Sequence, residues 1–240
     1  MSAQDVSNPS VAAQFLQTEV YRLGAEPGLR SRPPGPERDF LTLTWGPFVY
    51  RTTYTSESNR YLPVFLQALN ESIQKELHSL PGTPEQIHQL EKTYASRVFN
   101  AGDLYSEAPE ACIRDSFHDW KVSQALPSIE LPVRLRACLV VDENSLSFLA
   151  EMRERATGSE READYSRCPV KIVEENFPDK YRKDSTPMAG LYPGWTTVAL
   201  SSLVEVYNGL RNQDKGLGWY HRPGCMYTGN EQWEVESGMF

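Results

Sequence analysis

A chain of 240 residues, 40% hydrophobic and 11% aromatic, has the apolar content for one sizeable core and lacks the apolar poverty of a disordered chain. A formal net charge of -8 argues against a generally basic nucleic-acid surface, so DNA is not an expected partner. The opening MSAQDVSNPSVAAQFLQ has neither the basic nor the apolar region of a secretory leader, and no apolar run approaches the roughly 18 residues of a membrane span, so a cytoplasmic protein with no membrane partner is expected.

Residues 1–39 read as an N-terminal arm. Val11, Phe15, Val20 and Leu23 give a loosely helical stretch, and GAEPGLRSRPPGPERD, broken by Pro27, Pro33, Pro34 and Pro36, is expected to be an extended linker. A single domain over 40–240 follows. LTLTWGPFVYRTTY, 41–54, predicts a strand interrupted at Gly46 and Pro47, with Phe48 and Tyr50 on one face and Val49, Arg51 and Thr53 on the other. Thr55 or Ser56 can cap the next helix, whose stripe runs through Leu62, Phe65, Leu69, Ile73 and Leu77.

PGTP, 81–84, ends that helix and starts another, in which Ile87, Leu90, Tyr94 and Val98 keep helical spacing; a third begins near Ser106. Together they predict a helical insertion over about 82–120. RLRACLVVD, 134–142, predicts a buried strand, followed by a helix in ENSLSFLAEMRE. ATGSEREAD reads as a mobile loop, PVKIVEE as a short strand and WTTVAL as another, with Ser202 and Glu205 at capping-box spacing before LVEVY. The tail after Gly209 is aromatic but irregular. This order of elements predicts an α+β fold, a mixed or antiparallel sheet packed with helices and ferredoxin-like in tendency.

No phosphate-loop, dinucleotide, nucleophile-elbow or zincin signature is present. The cysteines, at 112, 138, 168 and 225, form no C-x-x-C pair and lie near no histidine at ligand spacing, so four reduced thiols, no metal and no cofactor are expected. Arg51 and Glu57 flank a strand end that feeds a helix, a place where ligand groups gather, although a structural ion pair would leave the same pattern. Asp115 and Asp119, four apart beside Trp120, could grip a guanidinium or simply face solvent. Arg134 and Arg136 share one face of the central strand, Asp142 and Glu143 close it, and Asp142 also suits an N-cap. Trp219 and His221 in GWYHRPGCMY could stack on a planar ligand or seal the end of the sheet.

FVYRTTYTSES (48–58), IRDSFHDW (113–120), RLRACLVVDENSL (134–146), PGWTTVALSSLVEVY (193–207) and WYHRP (219–223) resemble, in this order, a large family of filamentous-fungal cytosolic proteins, over roughly 48–223. Within it the chain looks most like the arginine-containing cyclodipeptide synthases of fungal secondary metabolism. That resemblance implies an aminoacyltransferase making cyclo(Arg-Xaa), a diketopiperazine, from arginyl-tRNA and a second aminoacyl-tRNA. Glu57, Asp142 and Glu143 are then candidates for acid–base work. Arg51, Asp115, Asp119, Trp120, Arg134, Arg136, Trp219 and His221 are candidates for substrate binding, and replacing Arg51 with Ala is expected to abolish product without unfolding. A basic face for tRNA is sought in Lys171, Lys180, Arg182 and Lys183. Two other readings stand beside this one: a metal-free cyclase or isomerase with an apolar cavity lined by Tyr50, Trp120, Trp195 or Trp219, and a non-catalytic interaction protein with an exposed apolar patch.

Overall fold

The structure, a computed structural model, describes residues 9–126, 131–157, 163–177, 192–212 and 215–235. The expected mobile loop and the connection with Lys180, Arg182 and Lys183 lie largely or wholly outside them. A seven-stranded mixed sheet, in the order β2-β1-β3-β4-β5-β6-β7, forms the centre of an α+β fold. Its strands are β1 (Phe48–Arg51), β2 (Arg97–Phe99), β3 (Ala137–Val141), β4 (Pro169–Glu174), β5 (Trp195–Ala199), β6 (Cys225–Gly229) and β7 (Gln232–Val235).

β1 runs parallel to both neighbours, with Val49 opposite Val98 and Leu139. β4 is antiparallel to β3 and β5, β5 and β6 are parallel, and β7 closes a hairpin on β6. This parallel β2-β1-β3 half departs from a ferredoxin-like sheet, whose strands alternate in direction. The chain leaves β1 on one side, through α5 (Ser56–Ser79) and α6 (Pro84–Thr93), and returns on the other to β3, through α7 (Gly102–Tyr105) and α8 (Glu110–Ser123). The C-terminal ends of β1 and β3 therefore flank a topological switch point, where open sheets of this type form a crevice.

Strand alternation divides the core as the β1 sequence requires. Val49, Leu139, Val141, Val170 and Ile172 pack under α5 and under α9 (Glu143–Thr157), whereas Phe48, Tyr50, Cys138, Val140 and Val173 pack under α8 with Ile113 and Phe117. α5 starts at Thr55, whose Oγ1 accepts from Ser58 N, and tolerates Pro63 on its exposed side.

Four expectations change here. The proline-rich stretch is not an extended linker: Pro27 and Pro36 begin α3 (Pro27–Arg30) and α4 (Pro36–Leu43), where a fixed φ and a missing N–H fit the first helical turn. Residues 41–43 belong to α4 and not to a strand. α1 (Val11–Phe15) and the π-helical run Leu16–Tyr21 continue into α2 (Arg22–Ala25) and bury Ala12, Phe15, Leu16 and Val20 in the main core, so the arm is part of that core. The 82–120 region is not purely helical, because Arg97–Phe99 leave the helical pattern and pair with β1.

The tail also gains order, as the β6–β7 hairpin. Ser202 and Glu205 do not form the expected capping box before α10 (Leu203–Arg211): the Ser202 hydroxyl is buried without a partner among the described residues, and Glu205 accepts from Tyr227 Oη at 2.5 Å and Asn230 N at 3.1 Å. Glu76, from α5, accepts from Val204 N instead.

Candidate functional site

Thr52–Thr55 after β1, Asn100 after β2 and Asp142 after β3 meet at the switch point. Thr52 N donates to Val141 O, and Glu107 N donates to Thr52 O, which joins the ends of β1 and β3 to the turn between α7 and α8. At this switch point Arg51 is 3% exposed. Its Nε donates to Thr53 O at 2.6 Å, Nη1 to Asn100 Oδ1 at 3.3 Å, and Nη2 to Ser58 Oγ at 2.8 Å and Asn59 Oδ1 at 2.6 Å. The guanidinium also lies 4.5 Å from the centre of the Tyr54 ring, and Tyr54 Oη donates to Arg51 O. All these acceptors are neutral. Among the described residues no carboxylate forms an ion pair with this buried cation, and the expected pair with Glu57 is absent; Glu57 is exposed in the first turn of α5.

Beside Arg51, Thr53 Oγ1 donates to Glu143 Oε2 at 2.6 Å, and Ser147 Oγ donates to Glu143 Oε1 at 3.4 Å. Glu143 is itself exposed, so its carboxylate stands between the buried Thr53 hydroxyl and solvent. Asp142 has the N-cap role: Oδ1 accepts from Ser145 N and Ser145 Oγ. Its Oδ2 pairs with Lys171 Nζ at 2.9 Å, and the same ammonium pairs with Glu110 Oε1 at 2.6 Å. Burial works against the Lys171 charge, but Asp142 and Glu110 together raise its pKa above the ordinary lysine value. Lys171 is thus held between two acids and is not the free cation a tRNA face would need.

Next to the crevice, sharing Asp142 with it, is a cleft of about 490 Å³ lined by Ser145, Phe148, Lys171, Thr197 and Met226, among others. The aromatics expected to line an apolar cavity are dispersed. Tyr50 stacks on Phe99, Trp120 packs on Phe48 and Phe117, Trp195 lies under Lys171, and Trp219 sits among Tyr220, Tyr227 and Trp233. The large exposed hydrophobic side chains, including Leu43, Leu104, Val122 and Val235, are scattered over different elements.

The remaining sequence candidates do not reach the crevice. Asp115 and Asp119 are exposed on α8, away from the Ile113 and Phe117 face that packs on the sheet, and hold no guanidinium among the described residues. Trp120 is half-buried and packs against the α8 side of the core. Arg134 and Arg136 precede β3, at the end of the strand opposite the crevice, and a short 3-10 turn at Val133–Leu135 replaces the expected start of the strand. His221 packs edge-on to Tyr192 and Trp195 near the start of β5, at that same end of the sheet; Lys215 covers one face of Trp219.

Sequence reasoning missed Thr53, Ser58, Asn59 and Asn100 as parts of the site. The hydroxyl-rich run TTYTSESN after a strand was a signal for the first three; Asn100 carried none, since it meets Arg51 across 49 positions. Among the described residues no group of three His, Cys, Asp or Glu is placed to hold a metal ion, and no helix is long and apolar enough to cross a membrane. No family model, curated protein or solved structure matches the chain.

Proposed function

We propose that the switch-point crevice is an acyl-transfer site, and that its reaction is the one the sequence resemblance implies: cyclo(Arg-Xaa) formation from arginyl-tRNA and a second aminoacyl-tRNA. The observation that carries the reading is the buried Arg51 guanidinium, fixed by four neutral acceptors and matched by no carboxylate among the described residues. A buried cation is normally paired, so one left among neutral groups at a ligand-binding position is suited to an oxygen that gains negative charge during reaction.

Aminoacyl esters are already activated. Such an enzyme has to bring an amine to an ester carbonyl, take up one proton and stabilise the tetrahedral oxyanion. Glu143, hydrogen-bonded to Thr53 and open to solvent, is the proposed proton acceptor. Arg51 is the proposed oxyanion partner, and Glu57 on the rim offers a carboxylate to the substrate guanidinium. Two ester bonds break and two amide bonds form, so each tRNA leaves with its terminal hydroxyl restored.

Mass spectrometry of bacteria expressing this chain and fed isotopically labelled arginine tests the reading. The expected signal is a labelled mass equal to arginine plus one amino acid minus two waters, lost in Glu143→Gln. Soluble, folded protein without such a product would overturn it; full product from the Glu143→Gln variant would remove Glu143 from the proton transfer.

A further inference from the structure

The cleft beside the crevice has two walls. One is a face of α9, where Ser145, Phe148 and Met152 follow one another at helical spacing. The other is a row across the sheet: Lys171 on β4 stands opposite Thr197 on β5, Thr197 beside Met226 on β6, and Met226 opposite Glu234 on β7. Residues paired across strands share a face, so these four side chains form one line about 14 Å long. Both walls open on the same space of about 490 Å³, a volume suited to a small molecule.

The cations of this cleft are already held. Lys171 lies between Asp142 and Glu110, Arg155 pairs with Glu151 at 3.2 Å, and Arg167 pairs with Glu234. No positive charge is left over for an anion, and two carboxylates around one ammonium make the Lys171 end acidic. Asp164, also on the lining, has no ion pair among the described residues and accepts from Ser166 N at 3.0 Å. Hydrogen bonds from the Ser166 hydroxyl and amide, with the fields of Lys75 and Arg167, hold its pKa below the ordinary value, so it is charged at neutral pH. Midway along the row Thr197 is 5% exposed, and its hydroxyl has no partner among the described residues. A buried hydroxyl left unpaired is costly, and this one lines a cleft walled by the Phe148 ring and two methionine thioethers, which accommodate both apolar stems and cations.

We propose that the cleft binds a small organic cation, an amine or guanidine carried on an apolar or aromatic stem. Its N–H groups donate to Thr197 Oγ1 in the field of the surplus carboxylate charge, and its stem lies between Phe148, Met152 and Met226. Binding here is an equilibrium property and does not rest on the acyl-transfer reading.

Isothermal titration of the full chain with phenethylamine, and separately with phenethylguanidine, at constant ionic strength tests it, with phenylpropionate and phenethyl alcohol as anionic and neutral molecules of similar shape. Saturable binding of at least one cation is expected, the tighter of the two naming the head group, with affinity weakened at least about tenfold in Thr197→Val and several-fold in Asp164→Asn. No saturable heat with either cation would overturn the proposal and leave the cleft to water. Affinities equal in wild type and Thr197→Val, or phenylpropionate or phenethyl alcohol binding as tightly as the cations, would overturn it too. Asp164→Asn changes an exposed side chain and decides the matter should Thr197→Val fail to fold. Cation binding without any cyclodipeptide product would sink the acyl-transfer reading alone, and product without cation binding this one alone.

Discussion

Arg51 shows why one residue has to be judged by its partners. Its alternation with Val49 put it on the α5 face of β1, which was readable from FVYR, but the consequence of removing it was not. Arg51→Ala takes a donor from Ser58, Asn59 and Asn100 at once, in a buried place, and is expected to cost about 2–3 kcal/mol of stability. Loss of product in that variant would not separate chemistry from folding, contrary to the sequence expectation. Arg51→Lys keeps the charge and loses the planar fork; urea denaturation should show a smaller loss of stability, while diketopiperazine yield falls about 100-fold or more. A Lys variant with wild-type yield would place the reacting oxygen elsewhere. Arg134 and Arg136 carry the opposite lesson, since a single 3-10 turn, invisible in the alternating pattern RLRA, takes them out of the strand that was expected to set both on one face.

At the scale of elements, the long periodic segments were legible and the short ones were not. α5, α9 and the buried strand ACLVV follow their apolar patterns. α3 and α4 did not, because a proline that stops one helix also starts the next, and only the packing of the chain decides between the two. The turn between α4 and β1 fixes where the switch point stands: Gly46 has φ +129°, and a Cβ there would come 2.5 Å from Ala95 O. Gly46→Ala is therefore expected to destabilise the fold by about 2 kcal/mol or more, read as a lowered denaturation midpoint. Thr83, in a complete capping box with Gln86 at the start of α6, gives a milder case. Thr83→Ala should cost about 1 kcal/mol. A neutral result at Thr83 would mean that Pro84 alone sets the helix start.

Over the whole molecule, folding depends on which carboxylates are buried, and this was the least legible level of all. Nothing in QKELHSL marks Glu76, yet α5 carries it to the start of α10, where Val204 N donates to it. Burial pushes its pKa up to about 8, against the backbone amides of Glu205, Val204 and Leu203, which favour the charged form. Below about pH 4.5 the carboxyl is protonated both folded and unfolded, and its contribution to stability is fully present. As pH rises, the unfolded chain loses this proton first while the folded one keeps it, so stability falls until the folded carboxyl also ionises near 8. The ceiling is about 1.4 kcal/mol per pH unit across that window, reduced because the side chain is only partly enclosed. Glu37 and Asp164, whose pKa values are lowered by hydrogen bonds from Arg97 and Ser166, act in the other direction and matter mainly at acid pH. Denaturant midpoints of wild type and Glu76→Gln, measured at pH 5 and pH 8.5, isolate the Glu76 share. The wild type should lose more stability than the variant between the two values; parallel losses would mean that Glu76 is already ionised at pH 5 and that the α10 amides outweigh its burial.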